Sequence, residues 1–217
     1  MYFAGIDPSL SSTAVVIIDE SGALVNSKVI LTKEIGKETG PARLAIIRDK
    51  VKGELLDARY QLSGSLKHQG PHHELTVAIE HYAMGCKFNR EALGELGGVL
   101  RVMLFEKCFP YIEVPPLRLK QYATGKSSAE KDHILMAVYK KWGIEFQKND
   151  EADAFILAQI ARVITLVQRG LVDPEKDLKL TVYEREVIQN ILKPAKKSKG
   201  SKGDKEAKGK KSKEAAA

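Results

Sequence analysis

Carboxylates at the ends of apolar segments constrain the fold of this chain more than any other feature. Asp7 follows the apolar residues 2–6, Glu80 follows residues 75–79, and Asp150 and Asp153 open a helical pattern. Carboxylates at strand ends and on one helix face can converge in a folded α/β domain. An all-carboxylate set favours Mg²⁺ or Mn²⁺ over zinc. The spacing therefore predicts a divalent metal site and, with it, hydrolysis of phosphodiester bonds.

The size of the chain and its apolar content predict a single core. With 217 residues and 43% hydrophobic residues, we expect one domain of roughly 150–190 residues. No apolar run approaches the roughly 18–20 residues of a membrane helix, and the N-terminus has neither a basic leader nor a cleavage region. Cys86 and Cys108 lack metal-ligand spacing and are expected to be reduced thiols. We therefore expect a cytoplasmic protein.

The net charge of +7 is concentrated at the C-terminus. From Lys193 onward there are ten lysines against three acidic residues, and the rest of the chain has 25 basic and 25 acidic residues. The globular part is therefore formally neutral. A basic surface for nucleic acid on that part would have to arise from segregation of its charges.

Hydrophobic periodicity predicts an α/β fold with a mixed sheet. Three short strands with turn signals between them predict an antiparallel meander, and later strands alternate with helices in the order βββαβαβαα. This order predicts a sandwich in which the first, fourth and fifth strands are parallel. The predicted strands are residues 2–6, 13–18, 23–31, 75–79 and 111–114, and the predicted helices are a helix from about residue 41 and residues 89–108, 127–142 and 150–169.

Two capping signals and a change of composition divide the C-terminal part. Residues 127–130 and 181–184 read Ser-Ser-Ala-Glu and Thr-Val-Tyr-Glu, which are capping-box patterns. From residue 194 there is no large apolar residue, so that segment is expected to be disordered. We predict a domain at residues 1–170, a helical extension at 171–193 and a Lys-rich tail at 194–217.

Each acidic position also has an ordinary structural interpretation. Asp7 could cap the turn into Pro8, and Glu80 could be a solvated residue at the end of a strand. Asp150 and Asp153 share one helix face, but the helix dipole alone favours acids in a first turn. Glu151 points elsewhere on the helix. All four acids together are much harder to explain by chance than each alone.

Five short segments resemble the RuvC family of Holliday-junction resolvases in order and approximate spacing, over about residues 3–168. The resemblance implies an RNase H-like fold, a five-stranded mixed sheet flanked by helices, to which this chain adds a C-terminal helix and the basic tail. It also implies a homodimer that nicks two strands of four-way DNA symmetrically, with two Mg²⁺ or Mn²⁺ ions per active site. The matching segments are Gly5 to Pro8, Ala78 to His81, Leu119 to Gln121 with Thr124 and Gly125, Ala129 to Lys131, and Asp150 to Ala154.

The resemblance assigns roles to individual residues. The four metal-binding, catalytic carboxylates would be Asp7, Glu80, Asp150 and Asp153. Lys131 would assist catalysis, and the DNA-contacting residues would be Lys120, Lys126, Lys131 and the aromatic Tyr82 or Phe88, which would open the junction. His81 is expected to be structural. The dimer contact is expected on the helix at residues 89–108, through Leu93, residues 96–98 and Leu100. A bacterial member would be nucleoid-associated, and a phage member would act in the host cytoplasm.

Other classes of protein remain open at this point. One alternative is a catalytically silent protein that binds DNA junctions, and another is a Mg²⁺-dependent RNase or flap nuclease on the same fold. Actin-like ATPases and sugar kinases share the Gly-Ile-Asp string, but they need two such domains and a second phosphate loop. The tail is either a solubilising appendage or a non-specific DNA tether.

Overall fold

One mixed sheet organises the computed structural model, which describes residues 1–34, 39–62, 75–81 and 90–193. Within these ranges the sheet has five strands in the order β3-β2-β1-β4-β5. β1, β2 and β3 pair antiparallel, whereas β1 pairs parallel with β4 and β4 with β5. The predicted meander and parallel strands are confirmed. The strands are β1 (Tyr2–Asp7), β2 (Ser12–Asp19), β3 (Leu24–Leu31), β4 (Leu75–Glu80) and β5 (Tyr111–Val114).

Helices cover both faces of the sheet. α1 and α2 pack on one face, and α3, α4, α5 and α6 share the core of the other. The helices are α1 (Gly40–Leu62), α2 (Arg90–Glu106), α3 (Pro116–Thr124), α4 (Lys131–Trp142), α5 (Asn149–Gln168) and α6 (Val182–Leu192), and a 3-10 turn spans Thr32–Glu34. No helix in the described parts of the chain is both long enough and apolar enough to span a membrane.

Alternation along β1 assigns its side chains to the two cores. Ala4 and Ile6 are buried against α1 and α2, and Phe3 is buried in the core that α5 shares. Since successive side chains of a strand point to opposite faces, Gly5 and Asp7 lie on the α5 face with Phe3. The last residue of β1 is therefore presented to the helix that carries Asp150 and Asp153.

The helix α5 lies against the sheet at unusually short range. A Cβ atom added to Gly5 would stand 1.8 Å from the backbone oxygen of Ala154 and 2.7 Å from the backbone nitrogen of Ala158. No real side chain can occupy that space, so the glycine allows the helix to touch the backbone of β1. This contact fixes the height of α5 above the carboxyl end of the strand.

Three details near the C-terminal half test the helix predictions. α3 is a helix that the sequence pattern did not predict. The predicted capping box at Ser127 is wrong, because α4 begins at Lys131 with Glu130 as N-cap and no side-chain cap bond. The capping box at Thr181 is confirmed: its side chain accepts from the Glu184 backbone, and the Glu184 side chain accepts from the Thr181 backbone. The predicted tail, residues 194–217, lies outside the described residues, and the proposed domain boundaries stay predictions.

Candidate active site

Asp7 and Glu80 end two neighbouring parallel strands at the same edge of the sheet. Ile6 pairs in register with Ile79, so Asp7 and Glu80 occupy the next position on each strand. Neighbouring strands lie about 4.8 Å apart. Glu80 shares the α5 face with Ala78, by the same alternation that places Asp7 there. Both acids are only partly buried, so they face one another across the strand gap at the rim of the core.

The N-terminal turn of α5 brings two more carboxylates to this edge. Asp150 accepts a hydrogen bond from the hydroxyl of Ser12, which begins β2 next to the end of β1. The opposite end of α5 lies near the start of β1, where Arg169 contacts the Met1 sulfur at 3.3 Å. Asp153 is partly buried one turn after Asp150. Asp150 lies in the first turn of α5, where the positive end of the helix dipole favours an acidic side chain.

Glu151 points in a different direction from Asp150. Its Oε1 accepts a hydrogen bond of 2.7 Å from the hydroxyl of Ser27, which lies on β3. The side chain is therefore directed towards the edge strand of the sheet, away from the end of β4 where Glu80 lies. This direction agrees with the interpretation that Glu151 is the acid of this turn that does not belong to the site, and it makes Glu151 a suitable control for substitutions.

The chemistry of the donors fits a divalent cation. Four carboxylates supply only oxygen ligands, which suit hard ions such as Mg²⁺ and Mn²⁺, and all four stand at one edge of the sheet. The four side chains do not converge on one position: among the described residues, no three His, Cys, Asp or Glu side chains are arranged to hold a metal ion. The backbone thus brings the donors together, and binding an ion would require rotation of the side chains, with Asp150 held by Ser12.

The basic residues predicted for DNA contact lie on the elements that follow β5. β5 ends next to Glu80, and α3 begins two residues later and carries the partly buried Lys120. Lys126 is exposed after the left-handed Gly125, which ends α3 with a φ of 80°. Lys131 begins α4, but its side chain lies outside the described residues. The helix that carries Lys120 therefore begins beside the end of β4, and the contact of Lys120 with DNA stays a prediction.

The aromatic pair predicted to open the junction cannot be placed. Tyr82 and Phe88 both lie outside the described residues. Their role stays a prediction.

Sequence reasoning missed three polar residues around the acids. The sequence pattern assigns no role to Ser12, whose hydroxyl donates to Asp150. Arg101 on α2 donates from Nη2 to the Glu80 backbone oxygen at 3.1 Å, and its Nε lies 3.2 Å from Oε1 of Glu113. His81 Nε2 lies 3.5 Å from the other carboxylate oxygen of Glu113. The sequence signal for Arg101 was that it is a single arginine within an apolar helix segment, residues 99–104.

Comparison with known proteins agrees with these features. No protein-family model matches the chain. A crossover junction endodeoxyribonuclease RuvC of Synechococcus sp. strain WH7803 is 28% identical over 163 residues, which cover 73% of this chain and 96% of that protein. The protein of the same name from strain CC9311 is 27% identical over 164 residues, with the same coverage.

Two solved structures share the fold. Thermus thermophilus RuvC matches with a TM-score of 0.54 and 20% identity, over 78% of this chain and 97% of that one. The same protein in complex with a Holliday junction substrate matches with a TM-score of 0.56 and 21% identity, over 78% and 96%. The five-stranded mixed sheet, with α5 across it, defines an RNase H-like fold. The chain is thus similar in sequence to RuvC proteins of Synechococcus and shares its fold with Thermus thermophilus RuvC.

Proposed function

We propose that the protein is a structure-selective DNA endonuclease that resolves four-way (Holliday) junctions and related branched DNA by hydrolysis of phosphodiester bonds. The observation that carries this proposal is the arrangement of Asp7 and Glu80 on adjacent strand ends, with Asp150 and Asp153 opening the helix that covers them. The named relatives are crossover junction endodeoxyribonucleases, and a solved structure of the same fold contains a Holliday junction substrate.

Catalysis depends on divalent metal, and the four carboxylates are the residues that would hold it. Two Mg²⁺ or Mn²⁺ ions would supply activation of water and stabilisation of the departing oxygen. The chain itself supplies the placement of the donors. The close contact at Gly5 fixes α5 over β1, and the Ser12 hydroxyl orients Asp150.

The lysines of α3, of the following turn and of α4 would hold the DNA backbone. Lys120 and Lys126 would bind phosphates next to the cleaved strand, and Lys131 would also stabilise negative charge that develops on the reacting phosphate. Tyr82 or Phe88 would stack on an unpaired base at the crossover. Because the globular part is formally neutral, its affinity for DNA would rest on the separation of these lysines from the acids. The protein would act in the cytoplasm, on the nucleoid or on phage DNA.

A homodimer would provide two active sites for paired nicks. The expected patch on α2 needs correction, because Leu96, Gly97 and Leu100 are buried in the protomer's own core. The outer face of α2 instead exposes Val102 and Phe105, which are 57% and 79% accessible. Exposed large apolar side chains on one helix face are typical of protein interfaces. A two-fold axis along this face would pair the two helices with each other.

The dimer contact can be tested with one charge on this face. Phe105→Glu should give a monomer of about 24 kDa by light scattering, and wild type should give about twice that mass, because a buried unpaired carboxylate opposes association. Leu171→Glu, at an exposed residue after α5, should leave the dimer intact. A wild-type monomer at micromolar concentration that still makes paired cuts would refute the dimer proposal.

The substrate class can be tested with a panel of labelled nucleic acids. A four-way junction, a three-way junction, an RNA/DNA hybrid and linear duplex are each incubated with Mg²⁺ and with chelator. The proposal predicts Mg²⁺-dependent paired nicks on branched DNA and little cleavage of the linear duplex. Preferential cleavage of the hybrid would favour an RNase. Junction binding without any cleavage would favour the catalytically silent alternative.

A further inference from the structure

A polar network from α2 reaches the end of β4 beside the acidic edge. Arg101 extends from α2 to the sheet, where Nη2 donates to the Glu80 backbone oxygen at 3.1 Å. Its Nε lies 3.2 Å from Oε1 of Glu113 on β5. The side chains of Arg101 and Glu113 are 11% and 32% exposed. This ion pair is thus mostly shielded from solvent and directly contacts the backbone of a proposed metal-binding residue.

Burial of an arginine at this position of α2 has an unfavourable desolvation free energy. Its helix neighbours Leu100, Met103 and Leu104 are buried in the apolar core. Removing a guanidinium from water costs free energy that only a paired carboxylate and good hydrogen bonds offset, and an apolar side chain avoids that cost. The presence of an arginine at position 101 is therefore better explained by its hydrogen bond to the Glu80 backbone oxygen than by packing in the apolar core.

The peptide group after Glu80 is held at both of its polar atoms. The N–H of His81 donates to the Val114 backbone oxygen at 2.8 Å, and the carbonyl oxygen of Glu80 accepts from Arg101. The first bond comes from β5 and the second comes from α2. Because the orientation of a peptide plane determines the direction of the adjacent Cα–Cβ bond, this double restraint acts on the Glu80 side chain.

We propose that Arg101, held by Glu113, is a positioning residue that fixes the end of β4 and thereby directs the Glu80 carboxylate towards a divalent cation. Glu113 contributes by orienting the guanidinium through one oxygen, while its other oxygen lies 3.5 Å from His81 Nε2. This inference rests on the proposed function, since it assumes that Glu80 binds metal. Neither Arg101 nor Glu113 would touch the ion or the DNA.

The experiment measures Mn²⁺ binding to the full chain by electron paramagnetic resonance of the free ion. Arg101→Gln should weaken Mn²⁺ binding about tenfold, because loss of a group that orients a metal ligand typically costs 10- to 100-fold in affinity. Glu113→Gln should weaken it in the same direction and by less. Arg48→Gln is the control, since the Arg48 side chain on α1 is 38% exposed and its Nη2 lies 3.0 Å from Oδ1 of Asp49.

A second readout separates positioning from a general loss of structure. The Mn²⁺ concentration for half-maximal junction cleavage should rise in Arg101→Gln by about the same factor as the dissociation constant. The rate at saturating Mn²⁺ should stay close to that of wild type. A partly unfolded protein would instead lose rate at every Mn²⁺ concentration.

Different outcomes overturn different claims. A folded Arg101→Gln protein with wild-type Mn²⁺ affinity would overturn this inference and leave the proposed function standing. If Arg101→Gln does not fold, wild-type affinity in both Arg101→Lys and Glu113→Gln would overturn it equally. A wild-type protein that binds no Mn²⁺ would contradict the proposed function itself.

Discussion

Gly5 is the residue on which the geometry of the site depends most. It lies two residues before Asp7, and it contacts Ala154, which follows Asp153. A side chain at this position would collide with the backbone of α5 and not with a flexible group that could move. The spacing between the β1 carboxylate and the α5 carboxylates is therefore set by the absence of one methyl group.

Replacement of Gly5 by alanine should destabilise the protein strongly. Overpacking of a filled core typically lowers the free energy of unfolding by about 1–3 kcal/mol. Because the clash at Gly5 is with helix backbone, we expect a loss at or above the upper end of that range. Urea unfolding followed by circular dichroism measures the effect. Gly53→Ala is the matched control, because no atom lies within 4 Å of its added Cβ in α1, and it should be neutral or stabilise by about 0.5–1 kcal/mol. Equal stability of the two variants would mean that α5 does not approach β1 so closely.

The positions of the four acidic residues in the fold could be predicted from sequence, and the contacts around them could not. Each acid sits next to an apolar segment of clear periodicity, so its place at a strand end or helix start follows from local pattern. The contact of Arg101 with Glu80 depends instead on how α2 packs across β4, which no local pattern specifies. The direction of Glu151 towards Ser27 likewise depends on the long-range packing of α5 over β3.

At the scale of elements, α6 is tied to the rest of the molecule by a buried carboxylate. Glu184 is fully buried, forms an ion pair with Lys141 of α4, and accepts from the backbone of Thr181 at 2.8 Å. Burial raises the pKa of the Tyr122 hydroxyl on α3, and the nearby Glu184 charge adds to that effect. In addition, the ring of Tyr183 lies against Gly125 at the end of α3. The added helix therefore braces the elements that carry the proposed DNA-binding lysines.

Removal of the Glu184 carboxylate should loosen this brace. Glu184→Ala deletes the ion pair and one half of a capping box, so we expect a loss of about 2–4 kcal/mol in the free energy of unfolding. Glu186→Ala, at an exposed position of the same helix, should change stability by less than about 0.5 kcal/mol. Thermal unfolding of both variants is the measurement. Equal melting temperatures would show that α6 is not held by Glu184.

Element boundaries show where sequence patterns are ambiguous. Pro115 and Pro116 directly follow β5 and also start α3, because proline is well suited to the first position of a helix. The Ser127 and Thr181 patterns look alike, yet only Thr181 caps a helix. A capping motif can form a hydrogen bond to the helix N-terminus, but the packing of the helix determines whether the helix begins at that motif.

At the scale of the whole molecule, charge divides the chain into two parts. The segment from Lys193 holds the entire net charge of +7, and the remainder is balanced. Non-specific attraction to DNA scales with the number of phosphates neutralised, whereas selectivity for a branch requires a defined surface. The tail should thus contribute affinity, and the folded part should contribute selectivity.

Deletion of residues 194–217 tests this division. It removes nine of the ten tail lysines, and each neutralised phosphate contributes about 0.9 to the slope of log affinity against log salt. The slope for linear duplex should therefore fall by several units, while the cleavage pattern on a four-way junction at low salt stays the same. An unchanged slope would make the tail a passive appendage, and loss of junction selectivity would contradict the division.

The central claim is that carboxylates at this sheet edge cut branched DNA with the help of metal. Mapping of cleavage sites on a labelled four-way junction in Mg²⁺ should show paired nicks for wild type and for Glu151→Gln. Asp7→Asn should cut at least about 100-fold more slowly, since even outer-shell partners of metal ligands cost about 10- to 100-fold, and it should still bind the junction in Ca²⁺. Near-normal paired cleavage by Asp7→Asn would contradict the account.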